Sequence, residues 1–194
     1  RFSWLRHKNI IPFIAAQSSL NSFLKEQAYM SIILMELAPY GDFSSLIQSR
    51  NFQGDDRLVR TFFHQLIAGI DYLHINGVAH MDIKPGNLLL TEDLSLKICD
   101  FDCSYADEDA FVNFEGTKNF RAPEVISGKC IYPKLADIYS AGIMLFLMKA
   151  REVPFEEDSE SGNFRKELLQ TENDDFWKEF RNNQFDRDFK RDRK

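Results

Sequence analysis

The chain has 194 residues, 44% of them hydrophobic, with 18 Phe and a formal net charge of −6. That length suits one modest domain or part of a larger one, and the apolar content is enough for a core. The acidic balance argues against general nucleic-acid or membrane-surface binding.

Cys99, Cys103 and Cys130 form no CxxC pair and no metal spacing, which fits a reducing compartment. The longest apolar run, Ile138 to Met148, is shorter than the roughly 20 residues a bilayer crossing needs. Arg1 is not preceded by an initiator Met, and no signal-peptide pattern follows it. There is no internal repeat.

Pro12 to Ser19 and Tyr29 to Leu37 read as two strands joined by a polar turn around Asn21 to Gln27. Gly41-Asp42 before Phe43 is an N-cap signal, so Asp42 to Arg50 is expected to be a short helix. The strongest helical pattern runs from Leu58 to Ile75. Leu58, Phe62, Leu66, Ile70 and Leu73 form its stripe, and Gly77 fits its stop. His64 and His74 on this helix read as structural or solvated, not as ligands.

The next stretch, His80 to Leu90, is HMDIKPGNLLL. A carboxylate (Asp82), a cation (Lys84) and an amide (Asn87) suit a loop, and three leucines suit a buried strand. Lys97 to Ser104, KICDFDCS, repeats the idea: a short apolar strand ends in Asp100. Two such strand ends side by side would aim Asp82, Asn87 and Asp100 at one spot. Two oxygen ligands and a carboxylate free to take a proton suit a magnesium–phosphate site.

The helix running to Lys149 is apolar nearly all round, through Ile138, Ile143, Met144, Leu145, Phe146 and Leu147. It is expected to be buried at the centre, with Val153-Pro154-Phe155 ending it. Glu156 to Gly162 reads as an acidic loop. Phe164 to Phe180 reads as one or two amphipathic helices anchored by Phe176 and Trp177. Asn182 to Lys194 is mixed charge and expected to be frayed or disordered.

HMDIKPGNLLL resembles the catalytic loop of eukaryotic protein kinases of the serine/threonine type, HRDxKPxN. CDFDCS resembles their DFG metal-binding element. GTKNFRAPE, from Gly116 to Glu124, resembles the end of their activation segment, and DIYSAGIMLF, from Asp137 to Phe146, the helix beneath it. The four occur in the family's order and spacing. The resemblance implies an α+β fold: a mainly helical kinase large lobe with remnants of the small-lobe sheet at the N-terminus. On that match residues 1–37 are the small-lobe remnant and 38–180 the large lobe, incomplete at its C-terminus. Residues 181–194 are a charged tail. Leu5 to Ile10, LRHKNI, resembles the turn after the small-lobe regulatory helix. The glycine-rich loop, the strand lysine and its partner glutamate would then lie before Arg1, so the isolated 194 residues are expected to show little activity.

The resemblance also implies roles. Asp82 would accept the proton of a substrate hydroxyl. Lys84 would steady the transferring phosphate, and Thr117 would bridge the two. Asn87 and Asp100 would hold magnesium. Met35 would back the adenine pocket, Glu36 and Ala38 would offer backbone C=O and N–H to the base, and Leu89 would pack under the ring. Asp42 would reach the ribose, although the residues by themselves favour a helix cap, and one carboxylate can do both. Phe101, His80, Phe13 and Phe2 match an apolar column linking the lobes. Asp137 resembles the carboxylate that holds the catalytic-loop backbone, and Glu124 the clamp residue that pairs with a distal Arg.

Two departures stand out. Met81 replaces the arginine that receives an activating phosphate, and no Ser, Thr or Tyr lies between Tyr105 and Gly116. The segment is therefore expected not to be switched by phosphorylation. Asp102 replaces a glycine, which is expected to restrict the hinge, because Asp tolerates φ > 0 less well.

The implied activity is transfer of the ATP γ-phosphate to protein Ser or Thr hydroxyls with Mg2+, inside the cell, in cytoplasm or nucleus. The partners are ATP and a protein substrate, with no nucleic acid and no membrane, and the sequence carries no signal of oligomeric state. The alternative is a pseudokinase or non-catalytic scaffold. Weaker still is an unrelated α-rich binding domain.

Overall fold

A computed structural model describes residues 2–21, 28–49, 55–107 and 116–154. The turn expected at 22–27, the acidic stretch 108–115, the partner expected for Glu124 and everything read from 155 to 194 lie outside the described residues.

The chain starts with an antiparallel pair, β1 (Phe13–Asn21) and β2 (Ala28–Met35), paired from Phe13↔Met35 to Asn21↔Ala28 with a register shift between Phe13 and Ala15. A short helix follows, α1 (Phe43–Gln48), capped by Asp42, whose Oδ1 accepts from Ser44 N–H at 2.8 Å. The long helix α2 (Asp56–Ile75) starts two residues before the apolar stripe. Asp55 caps it by accepting from the N–H groups of Arg57 and Leu58. Gly77, with φ 72°, turns the chain just after it.

The chain then runs through β3 (Val78–Ala79), a 3-10 turn at Pro85–Asn87, β4 (Leu88–Leu90), β5 (Leu96–Ile98) and β6 (Tyr105–Ala106). The strands β4 and β5 form a hairpin, with Leu88↔Ile98 and Leu90↔Leu96 on its buried face. The strand β3 pairs with β6. Two helices complete the described chain: α3 (Pro123–Ile126) and α4 (Pro133–Ala150).

The largest buried cluster among the described residues forms the core. Val59, Phe62, Leu66, Ile70 and Leu73 of α2 meet Phe43, Leu88, Leu96 and Ile98, and Met144 and Met148 of α4. Buried positions on α2 recur every three or four residues, as an amphipathic helix requires. Asn9 fastens the N-terminal segment to the hairpin: its Nδ2 donates to the Leu96 carbonyl at 2.8 Å, and its own carbonyl accepts from Ile98 N–H at 2.9 Å. An ion pair between Lys97 Nζ and Glu36 Oε2, at 3.1 Å, joins the hairpin to the end of β2.

The expected all-round burial of α4 is not what the structure shows. Ala136, Asp137, Ser140, Ala141, Met144 and Met148 are buried, while Leu135 and Ile138 are 61% and 50% exposed. A helix that is apolar all round is covered only where neighbours reach it. Here α2 and β3 cover one side.

Helix–hairpin packing makes opposite predictions for two glycines. A Cβ on Gly69 would lie 2.8 Å from Ile98 Cδ1 and 3.0 Å from the Asn9 carbonyl oxygen, whereas one on Gly142 would meet nothing within 4 Å. Gly69→Ala should lower stability by about 1–3 kcal/mol despite the better helix former. Gly142→Ala should raise it by roughly 0.5–1 kcal/mol. Urea midpoints of the two variants check both signs.

Candidate active site

Asp137 organises the loop that carries the polar residues. It is 1% exposed on α4. Its Oδ2 accepts from His80 N–H at 2.8 Å and its Oδ1 from Met81 N–H at 2.7 Å. The ring of His74 donates a third hydrogen bond, Nε2 to Oδ2 at 2.8 Å. His74 is thus structural, and His64 is exposed. His80, fully buried, bonds through Nε2 to the Cys99 carbonyl at 2.9 Å and through Nδ1 to Asp82 N–H at 3.2 Å. One imidazole therefore ties the loop before β4 to the end of β5.

With the backbone held, three of the expected side chains close on Asp82. Lys84 Nζ lies 2.7 Å from Asp82 Oδ2 and donates to Thr117 Oγ1 at 2.6 Å. Thr117 N–H donates to Asp82 Oδ1 at 2.7 Å. Asn87 Nδ2 donates at 2.9 Å both to the Asp82 carbonyl and to Asp82 Oδ2. Burial works against ionising Asp82, but the Lys84 and Thr117 hydrogen bonds and the Lys84 charge outweigh it and hold the carboxyl below its ordinary range.

Asp100 lies one residue beyond a backbone bond from Cys99 N–H to the Asn87 carbonyl, 2.9 Å long. It is exposed, and the hydrogen bond to its carboxylate from the described residues is a long one, 3.4 Å from Asp102 N–H. Cys99 reports the local charge. Burial first, then the charges of Asp100 and Asp42, push its thiol up to about 11. Asn87 makes its bonds through Nδ2 and keeps Oδ1 as an acceptor. An amide oxygen and a carboxylate are hard donors that fit magnesium. No group of three His, Cys, Asp or Glu able to hold a metal occurs among the described residues. A cation here would complete its shell with phosphate and water.

The residues expected to hold a nucleotide lie along the stretch from β2 to α1. Met35 ends β2 and is 42% exposed. Ala38 N–H has no hydrogen-bond partner among the described residues. The backbone at Asp42 bridges Leu89 of β4, and Leu90 N–H donates to the Gly41 carbonyl at 2.9 Å. Asp42 is the helix cap that its residues favoured. Phe101 packs edge-on to His80, with centroids 5.1 Å apart, and 6.0 Å from Phe2. Phe13 sits half-buried in β1.

Asp102, expected to restrict the hinge, does not carry the element's positive φ. Asp100 itself has φ 63°, and Asp102 is not in the left-handed region. Sequence reasoning missed the Lys97–Glu36 pair and undervalued Asn9 and His74. No local signal marks such partners, which lie 61 to 89 residues away along the chain.

The family model for the protein kinase domain matches residues 2–191. The chain belongs to the protein kinase domain family. It is 36% identical over 167 residues to CBL-interacting protein kinase 26 of Oryza sativa subsp. japonica, covering 84% of this chain and 32% of that one. It is 43% identical over 111 residues to CBL-interacting serine/threonine-protein kinase 8 of Arabidopsis thaliana, 56% of this chain and 25% of the relative. It is 34% identical over 157 residues to the carbon catabolite-derepressing protein kinase of Saccharomyces cerevisiae, 80% of this chain and 23% of that one. The chain thus spans about a quarter to a third of the length of these relatives. No helix among the described residues is long and apolar enough to cross a membrane.

Changing the contacts around Asp82 tests the electrostatics of this site. Lys84→Met should raise the Asp82 pKa toward the ordinary value near 3.9, and Thr117→Val, which keeps the backbone donor and removes the hydroxyl that seats Lys84, should raise it less. Because the folded value is depressed, the carboxylate adds stability above the unfolded pKa and loses it as pH falls through the folded one. The variants should therefore give up part of their stability at neutral pH and show a flatter acid limb. Side-chain carboxyl NMR titration measures the shift directly.

Proposed function

We propose that this kinase-domain chain carries the phosphoryl-transfer site of a serine/threonine protein kinase, acting on protein Ser or Thr hydroxyls with ATP and Mg2+. One observation carries the reading: a carboxylate kept ionised is gripped on one oxygen by a lysine and an amide, and on the other by the Thr117 backbone. Phosphoryl transfer asks a protein to position groups and offset charge, and this cluster does both.

Asp82 accepts the proton from the substrate hydroxyl. Lys84 offsets charge on the transferring phosphate, and Thr117 fixes both side chains. Asn87 and Asp100 hold magnesium, which when bound neutralises nucleotide phosphate charge. Met35, Leu89 and the backbone of Glu36 and Ala38 take the adenine. Asp42 keeps one oxygen on its helix cap and offers the other to the ribose. The non-catalytic alternative draws on Asp102, Met81 and the small-lobe elements that would lie before Arg1; the presence of Asp82, Lys84, Asn87 and Asp100 together weighs against it.

The activation segment works without a phosphate switch. Met81 gives no cation at the usual receiving position and is buried, and residues 106–115 contain no Ser, Thr or Tyr. Asp107 is already paired with Lys134 of α4 at 2.8 Å. Phosphatase treatment of the full-length protein should leave its rate within about twofold. A stoichiometric activating phosphate on this segment, detected by mass spectrometry, would contradict the idea.

The function itself is tested by magnesium-dependent phosphate transfer from ATP to a basic serine peptide. Asp82→Asn should cost about 100-fold or more in kcat, as loss of a general base does. Asp100→Asn should raise the magnesium concentration needed for half-maximal rate. Equal rates in the wild type and both variants would overturn the assigned roles.

A further inference from the structure

The two reacting-side residues Asp82 and Thr117 come from segments 35 residues apart. What brings them together lies one residue upstream of each. Met81 has φ 67°, a left-handed backbone that is unfavourable for a non-glycine residue. Such strain persists where the surroundings over-determine it. Here Asp137 Oδ1 holds Met81 N–H at 2.7 Å. The Met81 side chain, 5% exposed, sits in a small apolar cluster with Ala79, Ala122, Val125 and Ala136. That cluster joins the catalytic loop to the end of the activation segment and the start of α4.

The bend aims the Met81 carbonyl at Gly116. A Cβ on Gly116 would lie 2.6 Å from that oxygen, and Gly116 itself has φ 97°. Only glycine satisfies both conditions at once. From this crossing the chain advances one residue to Thr117, whose N–H reaches Asp82 and whose hydroxyl receives Lys84.

We propose that Met81 and Gly116 are positioning residues: their backbone crossing, held by the apolar seat of the Met81 side chain, sets Thr117 against Asp82 and Lys84 without help from a phosphate. The proposal rests on the kinase reading for its catalytic consequence but not for its geometry. An alanine at 116 must push the segments apart by several tenths of an ångström, since ordinary contact begins near 3.4 Å. Misplacement on that scale near reacting groups costs a large factor in rate.

Gly128 supplies a matched control. It also has a left-handed φ, 66°, yet a Cβ there meets nothing within 4 Å. Gly116→Ala should lower kcat by about 100-fold with KM for ATP within about twofold, and speed hydrogen exchange of the Thr117 amide. Gly128→Ala, equally strained, should leave both readouts near wild type. Met81→Leu keeps the seat filled and should hold kcat within about twofold, whereas Met81→Ala should lower kcat and speed Thr117 exchange. The proposal is overturned if Gly116→Ala and Gly128→Ala behave alike, or if Thr117 exchange is unchanged in Gly116→Ala. If Gly116→Ala does not fold, the Met81 pair decides: equal exchange in Met81→Leu and Met81→Ala overturns it. A wild-type protein that transfers no phosphate would defeat the kinase reading alone, because amide exchange still reports on the crossing.

Discussion

The arrangement depends on one buried carboxylate. Asp137 accepts from the backbone of His80 and Met81 and from the ring of His74. The two backbone donors would otherwise be buried without a partner, at about 1–3 kcal/mol apiece. The charge is tolerable at 1% exposure because three N–H dipoles surround it. Through this contact the central helix fixes a loop that has almost no regular structure of its own. The loop in turn fixes the left-handed bend at Met81, the course of Asp82, and the point where the activation segment returns.

Charge around the site is balanced in the same economical way. Lys84 serves Asp82 and Thr117 with one ammonium group. Asn87 lends its amide nitrogen to Asp82 and keeps its oxygen. The Asp82 carboxylate is therefore paired, while Asp100, exposed at the edge, has a single long bond from the described chain. On the proposed reading, a paired carboxylate and a lightly bonded one are what a charged nucleotide and its cation would require from a preorganised site.

Much of this was legible because local chemistry dictates it. The period of the apolar residues on α2 names a helix and its buried face. Asp42 sits where a cap must sit, whereas the cap at Asp55 was not read from the sequence. The alternation in HMDIKPGNLLL separates a polar loop from a buried strand. Other features were not legible. Asp102 looked like the conformational problem because of its residue type, but the left-handed backbone falls on Asp100. The expected burial of α4 failed for Ile138 and Leu145, since composition cannot say which side a neighbour will cover. His74 looked like an ordinary helix histidine until Asp137, 63 residues on, turned out to be its partner.

The sequence by itself determined the helices, the caps, the polar loop and the set of groups offered for chemistry, because propensity, periodicity and side-chain chemistry act over a few residues. Tertiary structure alone decided that Thr117 meets Asp82, that Met81 bends against Gly116, and that Glu36 pairs with Lys97. Those contacts join segments 35 to 61 residues apart. No pattern of neighbouring residues encodes them, because they depend on how α4, the loop and the β4–β5 hairpin pack together.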